Sequence, residues 1–188
     1  GEPTVGDISE NLRVTELMYA PLAMAGQPYE DSDYEFIELA NFGNTPLDVS
    51  GVSIVEGIDA VIPMGQVLQP GEYGVIVRNA AAFRARYGNE PHILAEFSGR
   101  LSNDGELISI QDAAGRTIIE FTYNDGREWP QQADGAGHSL VPLEHALEDP
   151  DGDPLDYALS WRPSTYIHGS PGEPDPAPPA SVVINEVM

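Results

Sequence analysis

The sequence has 188 residues, no cysteine, and a net charge of −23 at neutral pH, with 31 acidic residues against eight basic ones. All of the basic residues are arginines. An acidic surface of this kind repels phosphate groups, so we expect no nucleic-acid partner and no attraction to anionic membranes. The lack of cysteine excludes disulfides, thiolate catalysis and thiolate metal sites, whereas hard cations such as calcium suit the charge.

Two stretches far apart in the chain share one pattern. Residues 14–18 read Val-Thr-Glu-Leu-Met, and residues 184–188 read Ile-Asn-Glu-Val-Met. This repetition indicates a tandem array, so we interpret residues 181–188 as the first strand of a second, truncated repeat. We expect the sequence to be a piece of a longer exported protein. No signal peptide is visible in it, and no apolar run approaches the about 20 residues of a membrane span.

Composition divides the chain into four segments. Residues 1–10 form a polar lead-in, and residues 11–173 form the folded unit. The Pro-Asp-Pro-Ala-Pro-Pro run within residues 174–180 predicts a semi-rigid linker, because proline-rich segments favour an extended conformation. Residues 181–188 then begin the next repeat, and we expect this apolar strand to pair with an exposed sheet edge of this module or of a neighbouring copy.

The first two predicted strands carry glutamates among apolar residues. Leu12, Val14 and Met18 alternate on one face of the first strand, and Glu16 is predicted on that same face. A carboxylate that points inward must be paired or lie at a wet edge. A loop with Pro and Gly then leads to the second strand at residues 35–41.

The middle of the chain predicts short strands and a single helix. The strands lie at residues 47–49, 52–55 and 60–62, in a further stretch where Tyr73, Val75 and Val77 alternate, and at residues 93–97, 106–111 and 117–123. Asn79 suits a helix N-cap and Gly88 a helix end, which places the helix near residues 80–87. The last two strands form a predicted hairpin whose core face carries Ile119, Phe121 and Tyr123. This pattern predicts an all-β fold, a β-sandwich with one short helix.

The order of these segments resembles the lamin-tail domain, an immunoglobulin-like β-sandwich, over about residues 11–173. The closing part of the chain is similar to the bacterial branch of that family. The matching segments are residues 14–17, 35–41, 46–51, 68–73, 101–107, 129–130, 134–140, 160–163 and 169–172.

The resemblance implies a module without an assigned activity, carried by large secreted or surface proteins. Some of these proteins also contain a spore-coat-type kinase, a nuclease or a phosphatase domain. Lamins themselves are linked to chromatin and nuclear-envelope partners. The acidic, lysine-free composition departs from that branch, so DNA binding is not carried over to this chain.

The acidic loop near residue 150 is the candidate metal site. Four aspartates bunch hard oxygen donors around a glycine turn, which suits calcium. The spacing is not that of an EF-hand, since Pro154 takes the glycine position and Ser160 the twelfth position. The run is similar to the Asp-Pro-Asp-Gly-Asp-Pro-Leu segment of bacterial cadherin-like repeats; the alternative is a solvated acidic loop. The predicted calcium ligands are Asp149, Asp151, Asp153 and Asp156.

Three glutamates form a second set of carboxylates, Glu16, Glu35 and Glu38. Hydrolysis by Glu16 and Glu38 would require both to face a cleft about 5–10 Å apart. We instead expect them to bond an arginine or backbone amides, and we predict no enzymatic activity.

The histidines and tryptophans receive mainly structural interpretations. The histidines are predicted in loops. His138 and His145 flank the acidic loop, which leaves a transition-metal site there as an alternative. The tryptophans are predicted to pack over one end of the sandwich, with a binding surface as the alternative. The residues concerned are His92, His138, His145, His168, Trp129 and Trp161.

These observations favour a non-enzymatic extracellular or cell-surface module for structural display, adhesion or protein–protein contact. Loops 20–32 and 144–158 are the candidate recognition surfaces, because loops on a rigid sandwich carry function. The alternative is a carbohydrate-binding or accessory domain of a secreted hydrolase or kinase-like protein. The sequence does not identify the protein or glycan partner.

Overall fold

The computed structural model describes residues 7–149 and 153–176. Residues 1–6 of the predicted lead-in, Asp151, residues 177–180 of the predicted linker and the predicted strand 181–188 lie outside the described residues. The strands are β1 (Leu12–Met18), β2 (Phe36–Asn41), β3 (Leu47–Asp48), β4 (Ser53–Glu56), β5 (Ala60–Val61), β6 (Val67–Leu68), β7 (Tyr73–Val77), β8 (His92–Glu96), β9 (Glu106–Gln111), β10 (Thr117–Tyr123), β11 (Leu140–Pro142) and β12 (Trp161–Pro163).

Helices are short and few in the described part of the chain. The α-helices are α1 (Ile8–Asn11), α2 (Ala80–Tyr87) and α3 (Glu144–Leu147). Three 3₁₀ turns lie at Asp31–Tyr34, Asp153–Asp156 and Ala158–Ser160. None of the described helices is long and apolar enough to cross a membrane.

Two sheets make the sandwich that the strand pattern predicts. The larger sheet has the order β12-β11-β1-β2-β7-β8, and the smaller one has the order β10-β9-β4-β5. Strand pairs are antiparallel except β7 and β8, which run parallel because α2 makes the crossover between them. A separate ribbon pairs β3 with β6. The inner face of the larger sheet is the one that packs on the smaller sheet; the other is the outer face.

The main core lies between the two inner faces. It takes Leu39 and Ile76 from the larger sheet and Ile110 and Phe121 from the smaller one, each at most 1% exposed. Burial of such side chains stabilises the fold by about 1.5–3 kcal/mol each. A second, smaller core covers part of the outer face, where α2 packs on the sheet through Met18, Phe36, Val75, Val77 and Phe83.

The prediction that Leu12, Val14, Glu16 and Met18 share one face is wrong, because Glu16 and Met18 lie on the outer face whereas Leu12 and Val14 lie in the main core. The register of β1 shifts between Val14 and Glu16, which inserts Thr15 as an extra residue. An extra residue reverses the side-chain alternation that follows it. Met18 therefore packs under α2 on the outer face, whereas Val14 lies in the main core.

The predicted helix and hairpin are confirmed. The Asn79 side chain accepts hydrogen bonds from the amides of Ala81 and Ala82, at 3.0 and 3.1 Å, and Gly88 ends the helix at a φ of +79°. The hairpin pairs β9 with β10, and Ile119, Phe121 and Tyr123 are buried. The sequence did not predict β11 and β12, which extend the larger sheet beyond β1.

Candidate functional site

Two glutamates lie side by side on the outer face of the larger sheet. Glu16 of β1 and Glu38 of β2 are direct cross-strand partners, and each residue is 1% exposed. Glu38 is two residues from Phe36, which faces α2, so the strand alternation puts both side chains on the outer face. Two carboxyl groups are therefore buried next to each other, where burial without hydrogen bonds would be costly.

The end of the described chain covers this pair and supplies its hydrogen bonds. Residues 164–175, named the C-terminal strap, run across the outer face. The Ser170 amide donates to both carboxyl oxygens of Glu16, at 3.2 and 3.3 Å, and the Ser139 hydroxyl donates to the same group. The Gly172 amide donates to Glu38 Oε2 at 2.5 Å, and the Thr15 hydroxyl donates to Oε1 at 2.8 Å. Backbone amides thus hold both glutamates.

Burial changes the acidity of the pair. It raises the pKa of Glu16 to about 8, against the opposing effect of the hydrogen bonds from Ser139 and Ser170. The pKa of Glu38 is raised well above its ordinary value, first by burial and then by the neighbouring Glu16. Folding therefore favours the protonated form of both side chains, because two adjacent carboxylates in a dry site resist ionisation.

An ion pair anchors the strap to the sheet. Arg162 of β12 contacts Asp175 with its Nη1 at 2.5 Å, and the Asp175 side chain is 2% exposed. The same carboxylate accepts from the Thr165 amide at 3.0 Å and from the Ser170 hydroxyl at 2.8 Å. A buried pair with its remaining lone pairs satisfied holds a fixed geometry.

Glu35 has a separate environment. Its carboxylate accepts from the Leu101 amide at 2.9 Å and lies 3.9 Å from the Arg78 guanidinium. Burial raises the pKa of Glu35 to about 8, and the Leu101 amide and Arg78 oppose that rise. A small cavity of about 210 Å³ lies beside it, lined also by Asp31 and Arg100. The prediction of an arginine or backbone amides as partners is confirmed, with amides at all three glutamates and an arginine at Glu35.

A larger cleft opens on the outer face beside the strap. This outer cleft has a volume of about 580 Å³ and is mostly apolar. Phe42 and Tyr73 line it, and so does Glu38, whereas Glu16 does not. The pair therefore does not face one cleft, as hydrolysis by both would need. The lining residues are Thr15, Glu38, Phe42, Tyr73, Val141, Pro142, Leu143, Glu144, Leu147, Arg162, Pro174 and Asp175.

Among the predicted calcium ligands, Asp156 lies beside the smaller sheet. The Asp156 carboxylate accepts from the Thr122 amide of β10 at 2.5 Å, so this aspartate caps a backbone donor at the edge of the smaller sheet. Asp153 begins a 3₁₀ turn. Its side chain and the whole of Asp151 are not among the described parts of the structure. Asp149 closes the first described range. The described residues contain no group of three or more metal-ligating side chains. Calcium at this loop stays a prediction.

The histidines make hydrogen bonds within the fold. His92 contacts Glu72 and Gln66, each at 2.9 Å, and it lies in β8 rather than in the predicted loop. His138 Nδ1 lies 2.8 Å from the Ser164 carbonyl oxygen, and His145 Nε2 lies 3.3 Å from the Ser160 hydroxyl. These two histidines therefore have different partners among the described residues.

The tryptophans pack as predicted. Trp161 is 4% exposed, and its ring centroid lies 5.8 Å from Phe121 and 6.2 Å from Trp129. Its indole N–H donates to the Leu155 carbonyl oxygen at 2.8 Å, which satisfies the polar end of the ring. Trp161 thereby connects Leu155 of the acidic loop to the aromatic part of the main core.

The sequence motifs did not identify the strap or the outer cleft as functional features. Ser170 and Gly172 belong to a Gly-Ser-Pro-Gly run that signals only a turn. Arg162 carried a usable signal, because it is one of only eight basic residues in the chain and stands between a buried tryptophan and a proline.

Comparison with known protein families agrees with this architecture. No curated protein sequence matches the chain. The family model of the Lamin Tail Domain matches residues 8–125, which is more than half of the chain and includes both glutamates of the pair. The strands β11 and β12 and the strap lie beyond the matched residues, although they complete the sheet around β1. This chain belongs to the lamin tail domain family.

Proposed function

We propose that this chain is a non-enzymatic module that contacts a segment of another protein through its outer cleft. The parent protein would be extracellular or at the cell surface, where the module serves in display or adhesion. The outer cleft carries the proposal. It is concave, mostly apolar and lined by a few converging polar groups, as binding sites generally are.

The placement of the cleft supports a contact role. Half of its lining residues lie in strands of the larger sheet, so strand pairing holds that part of its wall in place. The candidate recognition loop 144–158 borders it through Glu144 and Leu147. An immunoglobulin-like family without catalytic residues is compatible with such a role.

The state of the glutamates supports a non-enzymatic function. Both oxygens of Glu38 accept hydrogen bonds from Thr15 and Gly172, and Glu16 is held by Ser139 and Ser170. A general base needs a carboxylate that is free to take a proton from a substrate or water. These side chains serve the fold instead.

Site-specific cross-linking tests the proposal in the native host. A photoreactive amino acid replaces Phe42 at the cleft and, as the matched control, Val61 on the smaller sheet, which is 65% exposed. We expect one defined protein to be cross-linked from position 42 and none from position 61. Equal cross-linking at both positions, or none from position 42, would contradict a partner at the cleft. Digestion of intact cells with added proteinase K tests the surface location.

Calcium at the acidic loop is a second part of the proposal. The density of aspartates at 149, 151, 153 and 156 supports it. A site occupied at 100 times its dissociation constant adds about 2.7 kcal/mol to the free energy of unfolding. We therefore expect the melting temperature in 1 mM CaCl₂ to exceed that in EDTA by about 5–10 °C. No difference, or one that persists after Asp151→Asn with Asp153→Asn, would leave the loop a solvated one.

Pairing of residues 181–188 with a sheet edge also stays a proposal. Among the described strands, β10 pairs only with β9, so its other side is an open sheet edge where residues 181–188 could pair. The Thr122 amide of β10 donates to Asp156. Amide exchange in β10 would slow in the full chain relative to Ile184→Asp if the pairing occurs. Equal exchange would argue against this edge.

A further inference from the structure

The outer cleft has more acidic than basic groups. Three of its lining residues carry carboxyl groups, namely Glu38, Glu144 and Asp175. The single basic residue among its lining residues, Arg162, is already engaged by Asp175 at 2.5 Å. Arg162 and Asp175 pair with each other, so the exposed Glu144 and the buried Glu38 leave the cleft with an excess of acidic groups.

Two aromatic rings line the same cleft as these carboxyl groups. Phe42 is 47% exposed and Tyr73 is half-buried, and both line the cleft. Aromatic faces attract guanidinium and ammonium groups. The chain uses this contact elsewhere, since the guanidinium carbon of Arg86 lies 3.7 Å from the ring centroid of Tyr34.

The rest of the wall is aliphatic. Val141, Leu143 and Leu147 line the cleft together with Pro142 and Pro174. Such a wall suits the methylene stem of a long cationic side chain, which stays in apolar surroundings while its head reaches polar groups. The volume of about 580 Å³ lies within the range of about 300–1,000 Å³ that is usual for ligand sites.

The charge of the whole chain acts in the same direction. A net charge of −23 with no lysine attracts basic partners from a distance and repels acidic ones. We propose that the outer cleft binds an arginine side chain which the partner protein presents on an apolar segment. This inference rests on the proposed function and adds the chemistry of the partner.

Glu38 gives this interaction a measurable signature. Burial raises the pKa of Glu38 and so favours its protonated form in the free protein. A guanidinium group beside it favours the ionised form, so binding releases a proton and affinity rises with pH. The charged and titratable groups around Glu38 are Glu16, Tyr73, Glu144, Arg162 and Asp175.

Titration of the ¹⁵N-labelled full chain with two dipeptides tests the proposal. The probes are N-acetyl-Leu-Arg-amide and its citrulline counterpart, which has nearly the same shape without the charge. We expect the arginine probe to shift the amide signals of Thr15, Phe42, Tyr73 and Leu143, and to bind at least fivefold more tightly than the citrulline probe. Affinity for the arginine probe should rise between pH 6 and pH 9.

Three variants test whether the arginine probe binds at the outer cleft. Phe42→Ala removes an exposed aromatic ring of the cleft. It should lower the affinity for the arginine probe at least threefold without disturbing the fold. Glu38→Gln should remove the pH dependence of binding. Glu120→Gln is the matched control, because it removes one exposed carboxylate of β10 and should leave binding unchanged.

Three results would overturn the inference. Equal affinity for both dipeptides would show that the cleft does not select a cation, while cross-linking at position 42 would still support the contact function. Shifts spread over the acidic surface, with the cleft signals unmoved, would show non-specific attraction only. Shifts in the cleft caused by cellotetraose and not by the arginine probe would favour the carbohydrate-binding alternative.

Discussion

The two faces of the larger sheet are buried in different ways. The inner face packs aliphatic and aromatic side chains against the smaller sheet, as Leu39 and Ile76 do. The outer face buries two carboxyl groups, and it needs amides and hydroxyls from a distant part of the chain to do so. Apolar packing is non-directional, whereas a buried carboxyl group depends on the exact placement of donors. Stability on the two faces should therefore respond to different perturbations.

Removal of an aromatic side chain from the inner face should give the largest effect. Phe121 is 1% exposed and stacks near Trp161, so Phe121→Ala leaves a cavity in the main core. We expect the free energy of unfolding to fall by about 3–5 kcal/mol, independently of pH. Urea denaturation at pH 5 and pH 8 measures it. A loss below about 1 kcal/mol would show that this face is loosely packed.

The outer face should make stability depend on pH. The pKa of Glu16 is about 8 in the folded protein and 4.5 ordinarily, so folding favours its protonated form. That contribution is fully present below pH 4.5 and is lost as the pH rises towards 8. We expect the free energy of unfolding to fall by on the order of 2–4 kcal/mol over this window.

Glu16→Gln should remove part of this decline, because glutamine stays neutral whereas Glu35 and Glu38 still titrate with raised pKa values. The variant should be more stable than the natural chain at pH 8 and no more stable at pH 4.5, by urea denaturation. Glu120→Gln, on an exposed surface, controls for the change in net charge. An unchanged slope in Glu16→Gln would contradict the assignment of the pH dependence to the buried pair.

A pair of glycine variants should isolate the contact between the strap and the sheet. Gly169 and Gly88 share a φ of +79°, but a Cβ at Gly169 would collide with Glu16 Oε1, whereas one at Gly88 would meet nothing within 4 Å. Gly88→Ala should cost about 1 kcal/mol for backbone strain alone. Gly169→Ala should cost about 1–2 kcal/mol more, measured by thermal unfolding. Equal losses would mean that the strap yields easily to the added methyl group.

The inner face was largely predictable from the sequence. Alternation of apolar residues located β10 and its core residues Ile119, Phe121 and Tyr123, and capping residues located α2. These signals are local, since strand alternation and helix caps act within a few residues. The extra residue Thr15 in β1 was missed because nothing in the local pattern marks a register shift.

The outer face was predictable only in part. The sequence suggested amide or arginine partners for the glutamates, but it did not name Ser139 or Ser170, which lie 123 and 154 residues from Glu16. The strands β11 and β12 are three residues long, too short for a periodic signal. The cleft is lined by strands, a helix and the strap together, so it exists only once all of these are assembled.

The separation of Glu16 from its strap partner has a consequence for synthesis. The two residues are 154 positions apart, so a ribosome that adds about 5–20 residues per second needs roughly 8–30 s between them. For most of that interval β1 lacks its neighbour β11, and its carboxylate stays hydrated and ionised. Once the strap has been made, it covers the outer face and lets Glu16 take up a proton. Completion of this module thus includes the protonation of Glu16 as well as folding, and both wait for the synthesis of the C-terminal strap.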